Sequence, residues 1–167
     1  MVENVTNAIV SSFGGTVPSN IIIFFVSMLP ILELRGGMIA AKLLEVPLLR
    51  AFIICYIGNI VPIPFILLFI RKIFDYLRRF EPTRKLIEKI IDRSMKKSDK
   101  VLKYKTLGLL AVVAIPLPGT GGWTGALIAA LLDLRMKKAL PAIALGVLIA
   151  DLLMAAISYG LIGAVIG

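Results

Sequence analysis

The chain alternates between long apolar runs and short polar breaks. Apolar residues dominate Ile21–Leu29, Met38–Leu44, Ala51–Ile70, Leu107–Leu132 and Ala139–Ile166. The run at 51–70 has the length of about 20 residues that an α-helix needs to cross a bilayer. Because such runs separated by polar turns are typical of membrane helices, the pattern predicts an all-α integral membrane protein.

Two of these stretches are interrupted by residues that break helices. Pro116–Ala126 combines prolines and glycines inside an uncharged run, and Pro30–Gly37 interrupts the first apolar stretch. A broken backbone survives at membrane depth only where it is buried in protein or lines a wet cavity. Each arm beside a break has about ten residues, hence a length of about 15 Å, half the apolar thickness. The breaks therefore predict two re-entrant helical hairpins.

The two halves of the sequence align without gaps at an offset of 88. A half made of one hairpin and one crossing inverts the half that follows it. We therefore expect a single membrane domain over residues 1–167 with two inverted copies, about 19–70 and 106–167. Each copy is a re-entrant hairpin followed by a transmembrane helix, an arrangement typical of transporters. Matched positions are Pro30 with Pro118, Gly37 with Gly125, Glu45 with Asp133, and Gly58 with Gly146.

Most of the positive charge lies between the two copies. Residues 71–105 hold 13 of the 19 Lys and Arg and five acids, hence a net +8 of the total +9. Apolar residues recur at helical spacing over 86–95, which predicts a basic amphipathic helical insert. Positive loops favour the cytoplasmic side, so we expect a multi-pass plasma membrane protein with loop 71–105 in the cytoplasm. This placement explains the charge without nucleic-acid binding.

The charge distribution also bears on the alternative of four simple spans in two parallel copies. In the inverted arrangement, residues 135–138 lie on the same side as the basic insert. With four spans, this second basic cluster falls on the opposite side, against the positive-inside tendency. The inverted arrangement is therefore favoured.

Composition excludes several kinds of chemistry. Hydrophobic residues make up 59% of the chain and charged residues 17%, and the mean hydropathy is +0.95. Soluble domains are less apolar and carry about 25% charged residues. The chain has no histidine and one cysteine, Cys55. We therefore expect no disulfide framework, no metal site, no cofactor and no enzymatic activity.

The two breaks carry motifs that resemble a known family. Pro30-x-x-Glu33-Leu34-Arg35-Gly36 and Pro116-x-Pro118-Gly119-Thr120-Gly121-Gly122-Trp123-Thr124-Gly125 are similar to motifs of the small multi-drug export protein family. The resemblance covers about residues 21–166. That family is considered a distant relative of the DedA superfamily.

The resemblance implies two facing re-entrant hairpins, each followed by a span. It also implies movement of lipids between leaflets, including polyprenyl phosphates and phospholipids, and proton-coupled transport. This chain departs from the DedA pattern at the second tip. DedA proteins carry arginines near the proline of that tip, whereas Pro116–Ala126 is uncharged and Arg35 is the arginine at a tip.

Ionisable residues in the apolar stretches are the main candidates for function. Such groups are costly inside a membrane and face a cavity or one another. Arg35 suits an anionic headgroup, and Glu33 would take up and release a proton; alternatively, the two pair and hold the tip together. Asp151 in the last run would couple protons, bind a cation or pair with Arg35. Asn59 is a further candidate.

The glycine-rich tips offer backbone N–H groups at the starts of two half-helices, which attract anions. The same glycines also permit close packing of the hairpin arms, and the two interpretations are compatible. Thr120 and Thr124 would donate to a ligand or cap the helix, and Trp123 would stack on a substrate or pack. The candidate residues at the tips are Glu33, Arg35, Gly36, Gly37, Pro118, Gly119, Thr120, Gly121, Gly122, Trp123 and Thr124.

Three functional hypotheses follow. The first is a DedA-like transporter or flippase for an anionic amphipathic substrate, such as a lipid or polyprenyl phosphate. The second is an exporter of small cationic drugs, with Glu33 and Asp151 as counter-ions. The third is a non-transporting scaffold, and a small membrane enzyme is least favoured. Expected partners are membrane lipids and a second copy of the chain, because one copy makes a thin wall around a substrate path.

Overall fold

The computed structural model describes residues 2–13, 15–77, 79–96, 99–117 and 120–160. Its regular secondary structure over these ranges is α-helical, which confirms the predicted all-α class. The helices are α1 (Val2–Phe13), α2 (Ser19–Met28), α3 (Glu33–Leu43), α4 (Leu48–Ile60), α5 (Pro62–Leu77), α6 (Glu81–Met95), α7 (Asp99–Ala114), α8 (Gly122–Leu131) and α9 (Met136–Ser158).

The chain divides into two compact units that each draw on both halves of the sequence. Unit 1 comprises Met1–Pro62 and Val147–Gly167, and unit 2 comprises Ile63–Gly146. The second part of α9 therefore belongs to unit 1 and its first part to unit 2.

Unit 1 is organised around a helical hairpin. α2 and α3 pack against each other, and α4 packs against both. The amphipathic α1 lies on α3, where Val2 and Ile9 contact a core of Ile22, Val26 and Leu32. A hydrogen bond joins the two chain segments of unit 1: the Tyr159 hydroxyl donates to the Val46 carbonyl at 2.7 Å. Burial raises the pKa of the Tyr159 phenol, so it stays protonated and able to donate.

Unit 2 contains a second helical pair and the basic helix. α7 packs against α8, and α6 packs against α8 with Ile87 buried. Arg71 in α5 forms an ion pair with Asp133, in the turn that follows α8. The predicted basic insert at 71–105 is not one separate element. Its ends belong to longer helices, since α5 continues to Leu77 and α7 begins at Asp99.

α3 and α8 end in the same backbone geometry. After α3, Glu45 has φ 54°; after α8, Asp133 has φ 56°. The next amide closes the end in each case, from Val46 to the Ala41 carbonyl and from Leu134 to the Ala129 carbonyl, both at 2.9 Å. This six-residue closure with a left-handed residue is the Schellman motif. The two ends are 88 residues apart, the offset predicted from the sequence.

Two stretches are long and apolar enough to cross a membrane, by length and composition. They are Leu48–Tyr76, which contains α4 and α5, and Met136–Ser158. Only 33% and 44% of their most apolar windows are buried inside the protein. Large side chains such as Phe65 and Leu152 are more than half exposed. Soluble monomers rarely expose apolar surface on this scale, so these faces fit a lipid environment.

The first of these stretches is broken near its middle. α4 ends at Ile60, Val61 is a turn, and α5 begins at Pro62. Proline has no N–H to continue the helical ladder. α9 runs without interruption through the corresponding position, Ala150. Pro62 therefore interrupts the hydrogen-bond ladder between α4 and α5, whereas α9 is one continuous helix.

Candidate functional site

Glu33 occupies an unusual backbone position at the start of α3. Its φ is 48° and it is 4% exposed, between buried Leu32 and Leu34. A left-handed conformation costs a non-glycine residue about 1–2 kcal/mol. The position 88 residues later is Gly121, with φ 128°, where glycine accepts a positive φ at no steric cost. Strain retained at one residue is a reason to look for a function of its side chain.

Arg35 lies near Glu33 at the start of α3. It is partly buried, and its guanidinium is within electrostatic range of the Glu33 carboxylate. The pair places one negative and one positive group at the tip of the first hairpin. Arg35 therefore stays partly exposed beside a buried acid.

The glycines of the first tip have a packing role. A Cβ at Gly36 would lie 2.7 Å from the Leu32 Cβ and 3.2 Å from the Thr6 hydroxyl. A Cβ at Gly37 would overlap the Ser27 hydroxyl and lie 2.8 Å from the Cys55 sulfur. Both residues lie within α3 and allow its neighbours to approach its backbone.

Asn59 and Asp151 are the least satisfied polar residues among those the structure describes. Both are 0% exposed. Within the described ranges, neither the Asn59 amide atoms nor the Asp151 carboxylate oxygens have a hydrogen-bond partner. The structure therefore does not pair Asp151 with Arg35, one of the options left open by the sequence.

A buried thiol connects these two residues spatially. Cys55 lies within electrostatic range of Asp151, and Asn59 follows Cys55 by one helical turn on the same face of α4. Cys55 also forms a side-chain hydrogen bond with Ser27, whose hydroxyl donates to the Ile23 carbonyl at 2.8 Å. The interior of unit 1 therefore contains a polar region formed by Ser27, Cys55, Asn59 and Asp151.

Sequence reasoning did not single out Ser27. A serine inside an apolar arm was the available signal, but its importance depends on the facing Gly37. Among the described residues, no group of three or more Cys, Asp or Glu side chains could hold a metal ion.

The second tip is closed by its own threonine. The Thr120 hydroxyl lies 2.6 Å from the Ile115 carbonyl and 2.8 Å from the Leu117 carbonyl, and it accepts from the Leu117 N–H at 3.1 Å. This favours a structural role for Thr120. Gly121 precedes α8 and Gly122 begins it; Trp123 and Thr124 lie in its first turn and are partly buried. Pro118 and Gly119 lie outside the described residues.

Comparison with protein families identifies the chain. Residues 33–153 match the sequence model of the small multi-drug export proteins. The chain belongs to the small multi-drug export protein family. This confirms the resemblance drawn from the two motifs, and the matched range includes Glu33, Arg35, Asn59 and Asp151. Comparison with curated proteins and with solved structures gave no match.

Membership and structure together support a membrane location. The family name refers to an inferred role in multidrug export, which is a transport activity across a membrane. The two long apolar helices have largely exposed apolar faces, as lipid contact requires. The protein is thus a helical membrane protein of an export family.

Proposed function

We propose that this small multi-drug export protein is a transporter that moves an anionic amphipathic molecule, such as a lipid phosphate, across the membrane. The observation that carries the proposal is Glu33, a buried acid kept in a strained conformation beside Arg35. The second copy has glycine at the matching position, so the hairpin geometry itself does not require an acid.

The proposed architecture uses the short helices as re-entrant arms. α2, α3 and α8 have 10, 11 and 10 residues, which gives lengths of about 15 Å. Arms of this length cross about half of the apolar layer. We propose that the two hairpins enter from opposite sides, that 71–105 faces the cytoplasm of a multi-pass plasma membrane protein, and that two chains associate.

In this scheme, Arg35 contacts the headgroup of the substrate. A guanidinium offers two parallel donors that match phosphate oxygens. Glu33 competes for the same guanidinium, so its protonation as the substrate arrives would remove that competition. Protonation of Glu33 upon substrate binding would couple substrate movement to protons, in the manner that the DedA resemblance implies.

The second candidate function is the export of small cationic molecules. It is favoured by the name of the family and by the buried carboxylate of Asp151, which has no hydrogen-bond partner among the described residues. Here Glu33 and Asp151 would act as counter-ions to the substrate, and Arg35 would contribute little.

A reconstituted transport assay separates the two. Proteoliposomes would be tested with a fluorescent lipid phosphate and with a cationic dye, using wild type, Arg35→Ala and Glu33→Gln. Arg50→Ala is the matched control, because Arg50 is an exposed arginine of α4. We expect Arg35→Ala to reduce lipid-phosphate transport at least tenfold and Arg50→Ala to leave it unchanged.

Other outcomes identify the competing hypotheses. Cationic-dye transport that survives Arg35→Ala but is lost in Glu33→Gln would favour the second candidate. Transport of neither substrate by the wild type, or equal activity in all variants, would contradict the assignment to this tip and leave the scaffold hypothesis.

A further inference from the structure

The interior of unit 1 contains unmet polar groups that the proposed substrate contact does not use. Asn59 lies in the last turn of α4, and Asp151 lies in the part of α9 that belongs to unit 1. Both are fully buried, and within the described ranges none of their four side-chain polar atoms has a hydrogen-bond partner. Buried polar groups are normally satisfied, so this exception indicates a missing ligand.

The unmet atoms are mainly acceptors. Asp151 contributes two carboxylate oxygens and Asn59 an amide oxygen, against a single amide nitrogen. A further acceptor near Asn59 is the backbone carbonyl of Gly58. In a continuous helix this carbonyl would accept from the N–H of residue 62, but Pro62 has no N–H. The surroundings therefore suit a cation.

A metal cation satisfies this set better than a proton does. A proton binds one carboxylate oxygen and leaves at least part of the amide and backbone acceptors without a partner. Na⁺ coordinates several oxygens at once, and broken helices in membrane transporters supply such carbonyls to coupling ions. Cys55, the neighbouring thiol, is already hydrogen-bonded to Ser27.

We propose that Asp151 and Asn59 form a Na⁺-binding site where α4 passes into α5 at Pro62. Na⁺ binding itself does not depend on the proposed substrate, whereas a role as coupling ion rests on the proposed transport function. The site would link the C-terminal helix of the chain to α4 each time the ion binds.

The test is a Na⁺ titration of the stability of the purified full-length protein. Thermal unfolding would be followed in detergent, with choline replacing Na⁺ at constant ionic strength. Since a ligand that binds the native state stabilises it by mass action, we expect the wild-type midpoint to rise with the logarithm of Na⁺ concentration above the dissociation constant.

The variants give a distinctive pattern. Asp151→Asn and Asn59→Leu should lose the Na⁺ response, while their midpoints without Na⁺ equal or exceed that of the wild type. Thr6→Ala is the control. Thr6 is also fully buried, but its hydroxyl is satisfied by the Val2 carbonyl at 2.9 Å. It should keep the full Na⁺ response.

The outcomes that overturn the site are specific. No Na⁺ response in the wild type, or an undiminished response in Asp151→Asn, would rule it out. A midpoint that follows pH and ignores Na⁺ would replace Na⁺ with a proton and refute the proposal as stated. Glu33→Gln and Arg35→Ala should keep the Na⁺ response. Na⁺ binding without any transport would therefore contradict the proposed function while leaving the site intact.

Discussion

The packing around Gly37 and Gly125 shows how the two hairpins differ. In each, a small residue of the second arm lets the first arm and the following span approach closely. In unit 1 the approaching side chains are Ser27 and Cys55, whereas in unit 2 they are Val113 and Ile143. The same close approach is thus made by polar groups in one hairpin and by aliphatic groups in the other.

The contrast extends to Asn59 and Asp151, whose side chains have no hydrogen-bond partner among the described residues. Asp151 and Asn59 align, at the offset of 88, with Ile63 and Val147, and all four are 0% exposed. Equivalent buried positions therefore accept aliphatic side chains without loss of the fold. Packing alone therefore does not explain the polarity of Asp151 and Asn59, which supports the proposed Na⁺ site.

Substitutions that replace these polar residues by their aliphatic counterparts should have the largest effect on stability and transport. Asp151→Ile and Asn59→Val place the aliphatic counterparts in the polar region. Each should raise the free energy of unfolding by about 1–3 kcal/mol, because an unsatisfied buried group is removed, and each should abolish transport. Denaturant unfolding and the proteoliposome assay measure the two effects.

The reverse change provides the control. Ile63→Asp buries a new unpaired acid, and we expect a loss of several kcal/mol. If Asp151→Ile is as destabilising as Ile63→Asp, Asp151 has a structural partner and the contrast fails.

Adding a methyl group at Gly125 or Gly37, where neighbouring side chains approach the helix backbone, should have the next largest effect on stability. Gly125→Ala would push a Cβ into Val113, whose χ1 is stiff in a helix, and should cost about 1–3 kcal/mol. Gly37→Ala should cost less, because the Ser27 hydroxyl and the Cys55 thiol that it meets are single γ atoms that can move to another rotamer. Chemical denaturation of both variants ranks them.

Paired variants identify the cause. Val113→Ala should recover much of the loss in Gly125→Ala, and Ser27→Ala should recover the smaller loss in Gly37→Ala. Equal losses without recovery would show that the two hairpins are not packed as described.

The starts of α3 and α8 provide a smaller test. Glu33→Gly gives the first tip the residue of the second, and relief of the left-handed backbone should stabilise the protein by about 1 kcal/mol while transport is lost. Gly121→Ala should destabilise by about 1–3 kcal/mol, because its conformation is accessible essentially only to glycine. A destabilised Glu33→Gly would mean that the acid holds the tip together.

The smallest expected difference concerns the ends of the same helices. Glu45→Gly should stabilise by about 0.5–1 kcal/mol, because glycine suits the left-handed position. Asp133→Gly should gain less, since it also loses the exposed ion pair with Arg71, a contact worth about 0–1 kcal/mol. In an Arg71→Ala background, Glu45→Gly and Asp133→Gly should stabilise the protein equally. If the difference between them persists, the ion pair is not its cause.

Local patterns predicted much of the fold. Apolar runs indicated the helices, and Pro30 and the glycines of the second tip indicated where they break, whereas the interruption at Pro62 was not predicted. The first break was predicted at Pro30–Gly37, but α3 begins inside it, at Glu33. Gly36 and Gly37 therefore lie within the helix, where packing outweighs their low helix propensity. Breakers show that a helix ends nearby, but tertiary contacts decide the residue.

The candidate site was predictable only as a set of residues. Burial cost drew attention to Glu33, Arg35, Asn59 and Asp151, and the structure brings Glu33 and Arg35 together. Within the part of the chain that the structure describes, Asp151 has no hydrogen-bond partner. This depends on how α9 packs within unit 1, which no local pattern specifies. The strain at Glu33 is likewise a backbone property, visible only against its glycine counterpart.

Gly146 in α9 leaves no room for a side chain. A Cβ at Gly146 would lie 2.7 Å from the Val113 Cβ and 3.0 Å from the Leu110 carbonyl oxygen, both in α7. Even alanine at this position would therefore push α9 away from α7. Asp151 lies five residues further along the same continuous helix, so a methyl group at Gly146 would also disturb the helix that carries this buried acid.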